Sequence, residues 1–137
     1  MKKIMGVDLG RARTGIAMSD YGCKMAFPRE VIHEWNEQRL IEKIADFAML
    51  NDIGEIVVGL PINMDGSHGD RAHECERLSN LIAERTKLPV RLWDERCSTV
   101  CAYNAFDEAG KFGKKRRETV DAAAAAVILQ SYLDSKI

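Results

Sequence analysis

Three carboxylates in this chain occupy positions that a folded protein could bring together. Asp8 ends the apolar run "IMGVD", Glu95 follows "LPVRLWD", and Asp121 opens the alanine-rich stretch "DAAAAAVILQSYL". Converging carboxylates repel one another unless positive charge sits among them. Magnesium suits such a cluster: it is a hard cation that takes oxygen ligands and keeps waters and substrate phosphates in its shell. Two such ions ~3.5–4 Å apart activate a water and stabilise the leaving oxygen in phosphodiester cleavage. Each acid also has a plainer reading. Asp8 suits a turn beside Gly10, Asp94 and Glu95 suit a helix cap and first turn, and Asp121 suits the N-terminal end of a helix dipole. Asp65 and Asp70 read as turn and cap acids.

The elements that would position these acids follow from pattern. Residues 2–9 read as a short buried strand, "TGIAMSD" as a second and "CKMAFPREVIH" as a third, whose proline suits a sheet edge. Gly10 and Gly15 bracket the basic turn "GRARTG", and short glycine-containing links imply antiparallel hairpins. From about Asn36 the spacing of Leu40, Ile41, Ile44, Phe47, Ala48 and Leu50 becomes helical. "EIVVGL" (55–60) is a continuous apolar run of the kind buried on both faces of a sheet. "PINMDGSHGD" is a loop in which Ser67 can cap the next helix, with Asp70 three residues on. That helix runs to about Thr86, and "LPVRLW" reads as another buried strand. "STVCAYNAFDEA" reads as helical and ends at Gly110, "KFGKKRRE" as a basic loop, and "TVDAAAAAVILQSYL" as a strong final helix. The order β-β-β-α-β-α-β-α predicts an α/β fold with a mixed five-stranded sheet and helices packed on it. In such folds ligands gather at the carboxyl ends of the parallel strands. If the first strand is central and the last helix packs over it, Asp8, Glu95 and Asp121 converge at one sheet edge.

Composition sets the frame. The 137 residues fit one domain, 46% hydrophobic and 30% charged, with a net charge of −1, so affinity for nucleic acid has to come from local patches. The opening apolar run breaks at Asp8, too early for a signal peptide, and no run approaches membrane-spanning length, which points to a cytoplasmic protein. The four cysteines (Cys23, Cys75, Cys97 and Cys101) form no C-x-x-C pair, and reduced thiols are the expectation.

Four stretches, "GVDLGRARTGIAMSD", "IVVGLPINMDGS", "LWDERCSTVCA" and "VDAAAAAVILQSYL", resemble the YqgF/RuvX family and span nearly the whole chain in that family's order. Cys97 departs from the leucine expected in that place. The resemblance implies a single ribonuclease H-like nuclease domain over residues 1–137, with Asp8, Glu95 and Asp121 as catalytic and metal-binding acids. It also implies magnesium or manganese as cofactor. The implied role is maturation of the 5′ end of precursor 16S ribosomal RNA, with pre-ribosomal particles as partners. The family's older label, Holliday-junction resolvase, makes branched DNA the alternative substrate.

Basic residues would supply the phosphate grip. Lys111, Lys114, Lys115, Arg116 and Arg117 put five positive charges into seven residues just before Asp121, and Arg11 and Arg13 follow Asp8. Arg96 suits either a nucleic-acid contact or a structural ion pair, and the basic run alone suits a solvated face. No strand carries an aromatic-rich face for stacking bases, so base-specific readout is not expected. With no heptad seam left over, a monomer or weak homodimer is expected. Two rival functions follow from the same residues. "DLGRARTG" resembles the phosphate loop of actin-like kinases, but these need two domains and this chain has length for one. A non-catalytic nucleic-acid or ribosome-binding module would keep the fold without turnover.

Overall fold

The computed structural model describes residues 2–95 and 113–136, with side chains in the second segment from Ala122 onward. Strands β1 (Lys3–Asp8), β2 (Arg13–Ser19) and β3 (Ala26–His33) lead into helix α1 (Glu37–Leu50). Strand β4 (Ile53–Leu60), helix α2 (Asp70–Thr86), strand β5 (Val90–Asp94) and helix α3 (Gly113–Asp134) follow. The sheet order is β3-β2-β1-β4-β5. The two hairpins are antiparallel, whereas β4 runs parallel to both β1 and β5. The carboxyl ends of β1, β3, β4 and β5 therefore share one edge, and β1 is the central strand.

Alternation along the strands divides the core in two. Met5, Val7, Ile16, Ile56 and Val58 face α1 and α2, packing with Ile44, Leu78 and Ile82. Ile4, Ala17 and Val57 face α3, packing with Ala125, Ile128, Leu129 and Tyr132. Helix α3 lies close on β1 at Gly6. A Cβ there would stand 2.8 Å from Leu129 Cβ and 2.9 Å from the Ala125 carbonyl oxygen.

Several local expectations need correction. Strand β5 is not buried: it is the last strand in the sheet, and Leu92 is 39% exposed. Gly15 lies inside β2, paired with Asp8, rather than at the end of the turn. Ser67 does not cap α2. Its hydroxyl and amide both bond to Asp65 Oδ1, leaving Gly69 at the cap position without a side-chain bond. Residues 113–118 are helical rather than looped, so Lys114 to Arg117 lie in the opening turn of α3. Lysine and arginine are good helix formers, and the strong alanine helix that follows propagates back through them. The expected helix over 98–109 lies outside the described residues, as do Cys97 and Cys101. Among the described residues Cys23 and Cys75 are free thiols, and no helix is long and apolar enough to cross a membrane.

Candidate functional site

The two acids on described strand ends share one face of the sheet. Counting by twos from Ile4 on β1 and from Val57 on β4 puts Asp8 and Gly59 on the α3 side. Trp93 on β5 also faces α3: it meets Tyr132 edge-on at 5.4 Å and donates to Ser131 Oγ at 3.0 Å. Glu95, two residues on, falls on the same side. Its carboxylate lies over Gly59, where an added Cβ would stand 2.8 Å from Glu95 Oε1 and 2.5 Å from Ile128 Cδ1. The glycine thus makes the cradle in which the carboxylate rests.

Helix α3 runs antiparallel to β4. Tyr132 near its C-terminus bonds Glu55 near the start of β4, and Ile128 meets Gly59 near the end of that strand. The N-terminal half of α3 therefore points to the carboxyl edge. Asp121 precedes Ala125 by four residues, about 6 Å along the axis, while Asp8 lies two residues beyond Gly6, about 6.6 Å along β1. The backbone of Asp121 is at the level of Asp8, and its side chain lies outside the described residues. Among the described residues no group of three histidine, cysteine or carboxylate side chains is arranged to hold a metal. Asp8 and Glu95 offer two hard oxygen donors beside the glycine cradle, which fits a divalent cation better than a soft metal.

Sequence reasoning missed two contributors on α2. Arg71 reaches from its first turn to the end of β1, where Nη2 donates to the Leu9 carbonyl at 2.9 Å. This bond fixes the backbone next to Asp8 and brings a cation to the acid edge. One turn on, Cys75 is buried. Burial is the main reason its thiol is pushed up to about 11; Arg71 pulls it down, and Glu95, Glu74 and Asp8 add to the rise. The thiol thus sits in the negative field of both acids. A lone arginine on an amphipathic helix carries no sequence signal, whereas a glycine inside an apolar strand such as Gly59 does mark a close approach.

The remaining residues divide by location. The turn after Asp8 needs glycine at position 10, because a Cβ there would stand 2.2 Å from the Arg13 carbonyl oxygen. That tight turn holds exposed Arg11 three residues beyond Asp8 and places Arg13 on β2, paired with His33. Asp94 closes β5 opposite Leu60. The loop after β4 is knit together by its own side chains: Asn63 Nδ2 donates to Ser67 Oγ at 3.0 Å, and Ser67 closes on Asp65. Asp65 is thus a turn acid, as expected. Arg96 and Lys111 lie outside the described residues. Lys114, Lys115, Arg116 and Arg117 are on α3, upstream of Asp121, with side chains outside the described set.

The chain is similar to known proteins in sequence and in fold. The profile of the RuvX family, described as Holliday junction resolvase, matches residues 2–135. A Rhizobium meliloti protein named "Putative pre-16S rRNA nuclease" is 41% identical over 133 residues, covering 97% of this chain and 81% of its own. A Protochlamydia amoebophila protein of the same name is 39% identical over 141 residues, covering 98% and 94%. Among solved structures, Thermus thermophilus RuvC in complex with a Holliday junction substrate superposes with a TM-score of 0.64 at 11% identity, covering 99% of this chain and 96% of that one. The fold is ribonuclease H-like, of the RuvC kind. With its family profile matched almost from end to end, this chain belongs to the RuvX family of nucleases.

Proposed function

We propose that this chain is a metal-dependent nuclease that trims the 5′ end of precursor 16S ribosomal RNA. The observation that carries the chemistry is the seating of Glu95 over Gly59, on the same sheet face and at the same edge as Asp8. The names of its relatives support the substrate.

Asp8, Glu95 and Asp121 would hold the cation. When bound, a divalent magnesium or manganese ion supplies an activated water and neutralises charge on the leaving oxygen. The chain's own residues do the rest. Asp8 and Glu95 are fixed by strand ends, so little ordering is left to be done when substrate arrives. Arg71 holds the backbone beside Asp8. Arg11 on its turn is placed to receive a substrate phosphate away from the scissile one. The cations at 114–117 stand at the N-terminal end of α3, where the helix dipole is already positive, so this end of the molecule attracts anions. Arg13 and Arg96 complete the proposed nucleic-acid contacts.

One described active edge per chain suits a single cut in a flexible strand. Symmetric junction resolution needs two edges across a two-fold axis. The test presents purified protein with a precursor 5′ leader and with a mobile four-way DNA junction, in magnesium and in excess chelator, with its mass in solution measured alongside. Cutting of the leader by a monomer or weak dimer, abolished by chelator, is expected. Paired symmetric nicks in the junction by a stable dimer, with the leader intact, would reverse the substrate. Binding of RNA without any cutting would leave a binding module instead.

A further inference from the structure

The edge that carries the acids also carries a tryptophan in the open. Trp35 lies between β3 and α1 and is 77% exposed, whereas tryptophan is normally among the more buried side chains. Its backbone is held on both sides. The Glu34 amide donates to the Ala12 carbonyl at 3.1 Å, and Asn36 caps α1 by accepting from the Arg39 amide at 3.0 Å. The exposed ring is therefore on a rigid support rather than on a loose loop. It lines a cavity of about 310 Å3 together with Gly10, Arg11 and Leu40. Gly10 and Arg11 belong to the turn that follows Asp8, and Leu40 and Glu74 belong to α1 and α2, so the cavity opens at the same edge as that acid, on the α1–α2 side of the sheet.

Three glutamates also line the cavity, Glu34, Glu37 and Glu74. Two of them are neutralised in place: Glu34 pairs with Lys43 at 3.0 Å, and Glu37 accepts from Arg77 Nη1 at 3.0 Å. The cavity thus offers an aromatic face, an exposed guanidinium that can approach a phosphate from the turn, and little uncompensated negative charge. A flat ring beside a cation, next to a site that acts on phosphodiesters, matches a nucleotide better than a lipid or a small acid.

We propose that Trp35 and Arg11 form a stacking subsite for one unpaired base of the substrate, where a single strand leaving the acids passes round the carboxyl edge of the sheet. The proposal rests on the nuclease reading for its geometry relative to the cut. Every base has a π-face, so this subsite selects single-stranded over paired nucleic acid without reading sequence. It supplies on a loop the aromatic surface that the strands lack.

The test measures binding of a labelled single-stranded RNA of about 12 nucleotides to the full chain in calcium, with the RNA checked for integrity. Trp35→Ala should weaken binding by about 5- to 100-fold, and Trp35→Phe should keep most of it. In the parent protein a single abasic position walked along the RNA should cost a similar factor at one register. The same abasic RNA should cost little more in Trp35→Ala. An unshifted melting temperature in both variants shows that the exposed ring does not hold the fold. Binding by Trp35→Ala within twofold of the parent, or abasic effects independent of Trp35, would overturn the proposal and assign the ring to a protein surface. Absence of saturable RNA binding by the parent would also overturn it. Trp35-dependent binding without cleavage would fail the nuclease reading alone, and cleavage with Trp35-independent binding would fail the subsite alone.

Discussion

Glu95 lies directly over the backbone of Gly59, so close that any β-carbon on Gly59 would stand 2.8 Å from Glu95 Oε1 and 3.0 Å from its Cγ. The side chain is the movable partner on one flank, but Ile128 Cδ1, at 2.5 Å, closes the other. Gly59→Ala should therefore displace the carboxylate and shift α3 outward. Overpacking of this kind costs about 1–3 kcal/mol, which melting curves will read. Cleavage should fall by more than that destabilisation explains, at a temperature where the variant is fully folded. Full activity in Gly59→Ala would show that Glu95 need not occupy this cradle.

The acids themselves give the most direct check. Asp8→Asn, Glu95→Gln and Asp121→Asn, each made singly, should remove most cleavage in magnesium while circular dichroism remains unchanged. Without metal the amides relieve repulsion among like charges, so melting temperatures should hold or rise. Undiminished cleavage in any one variant would strike that residue from the site.

Arg71 acts on the acid edge through the Leu9 carbonyl. Arg71→Ala removes a charged donor from a part-buried acceptor, a change that costs about 1.5–3 kcal/mol in stability. A positioning role predicts more than this destabilisation. The magnesium concentration for half-maximal cleavage should rise, and Arg71→Lys should recover little, because a lysine lacks the planar fork. Arg85→Ala, which removes an exposed pair between the same helix and Glu42 of α1, is the control and should leave that concentration unchanged.

Some of this arrangement could be read in the sequence, and some could not, for physical reasons. Continuous apolar runs such as "IVVGL" announce strands buried on both faces, which is why β4 was legible as an inner strand. "PVRLW" looks similar, yet β5 is an edge strand, because apolar content does not specify which neighbours cover it. The basic run at 114–117 combines good helix formers with a like-charge cluster, and local pattern does not rank propensity above repulsion. Ser67 carried a capping signature but closed a turn with Asp65 instead, as serine and aspartate side chains bond nearby backbone in either structure. Asp8 and Glu95 were legible because acids at the ends of apolar strands are out of pattern. Arg71 and Trp35 stand out only through their neighbours in space, which no spacing in the chain reveals.

Cys75 supplies a prediction in pH. Its thiol is raised from an ordinary value of 9.0 to about 11, chiefly by burial. The folded chain therefore keeps this proton through a window in which the unfolded chain loses it. The stability from this group is complete below pH 9 and is lost as pH rises from about 9 to 11, a total of about 2–3 kcal/mol. Cys75→Ala lacks the group, so denaturant unfolding of the two proteins should converge, or cross in favour of the variant, across that window. Other alkaline groups titrate alike in both and cancel in the difference. A difference that stays constant from pH 8 to 11 would show that the thiol is not held neutral by the fold.

The cations at the start of α3 give the last prediction. Lys114, Lys115, Arg116 and Arg117 stand on the opening turn of the helix that leads toward Asp121. As a solvated face they would gain nothing from this place, since positive side chains at a helix N-terminus oppose the dipole. As a phosphate grip they would release counterions from the substrate, and each neutralised phosphate contributes about 0.7 to the slope of log affinity against log salt on a single strand. Replacing all four with glutamine keeps a good helix former at each position, so the helix should survive while the charge goes. Binding should weaken about equally for RNAs of different sequence, and the salt slope should fall by roughly 0.7 per phosphate no longer held, up to about 3 in all. Glutamine also relieves the unfavourable dipole interaction, so the melting temperature should hold or rise while affinity drops. Opposite movements of stability and affinity in one variant identify charges kept for a ligand rather than for the fold. An unchanged salt slope would assign these four residues to solvent.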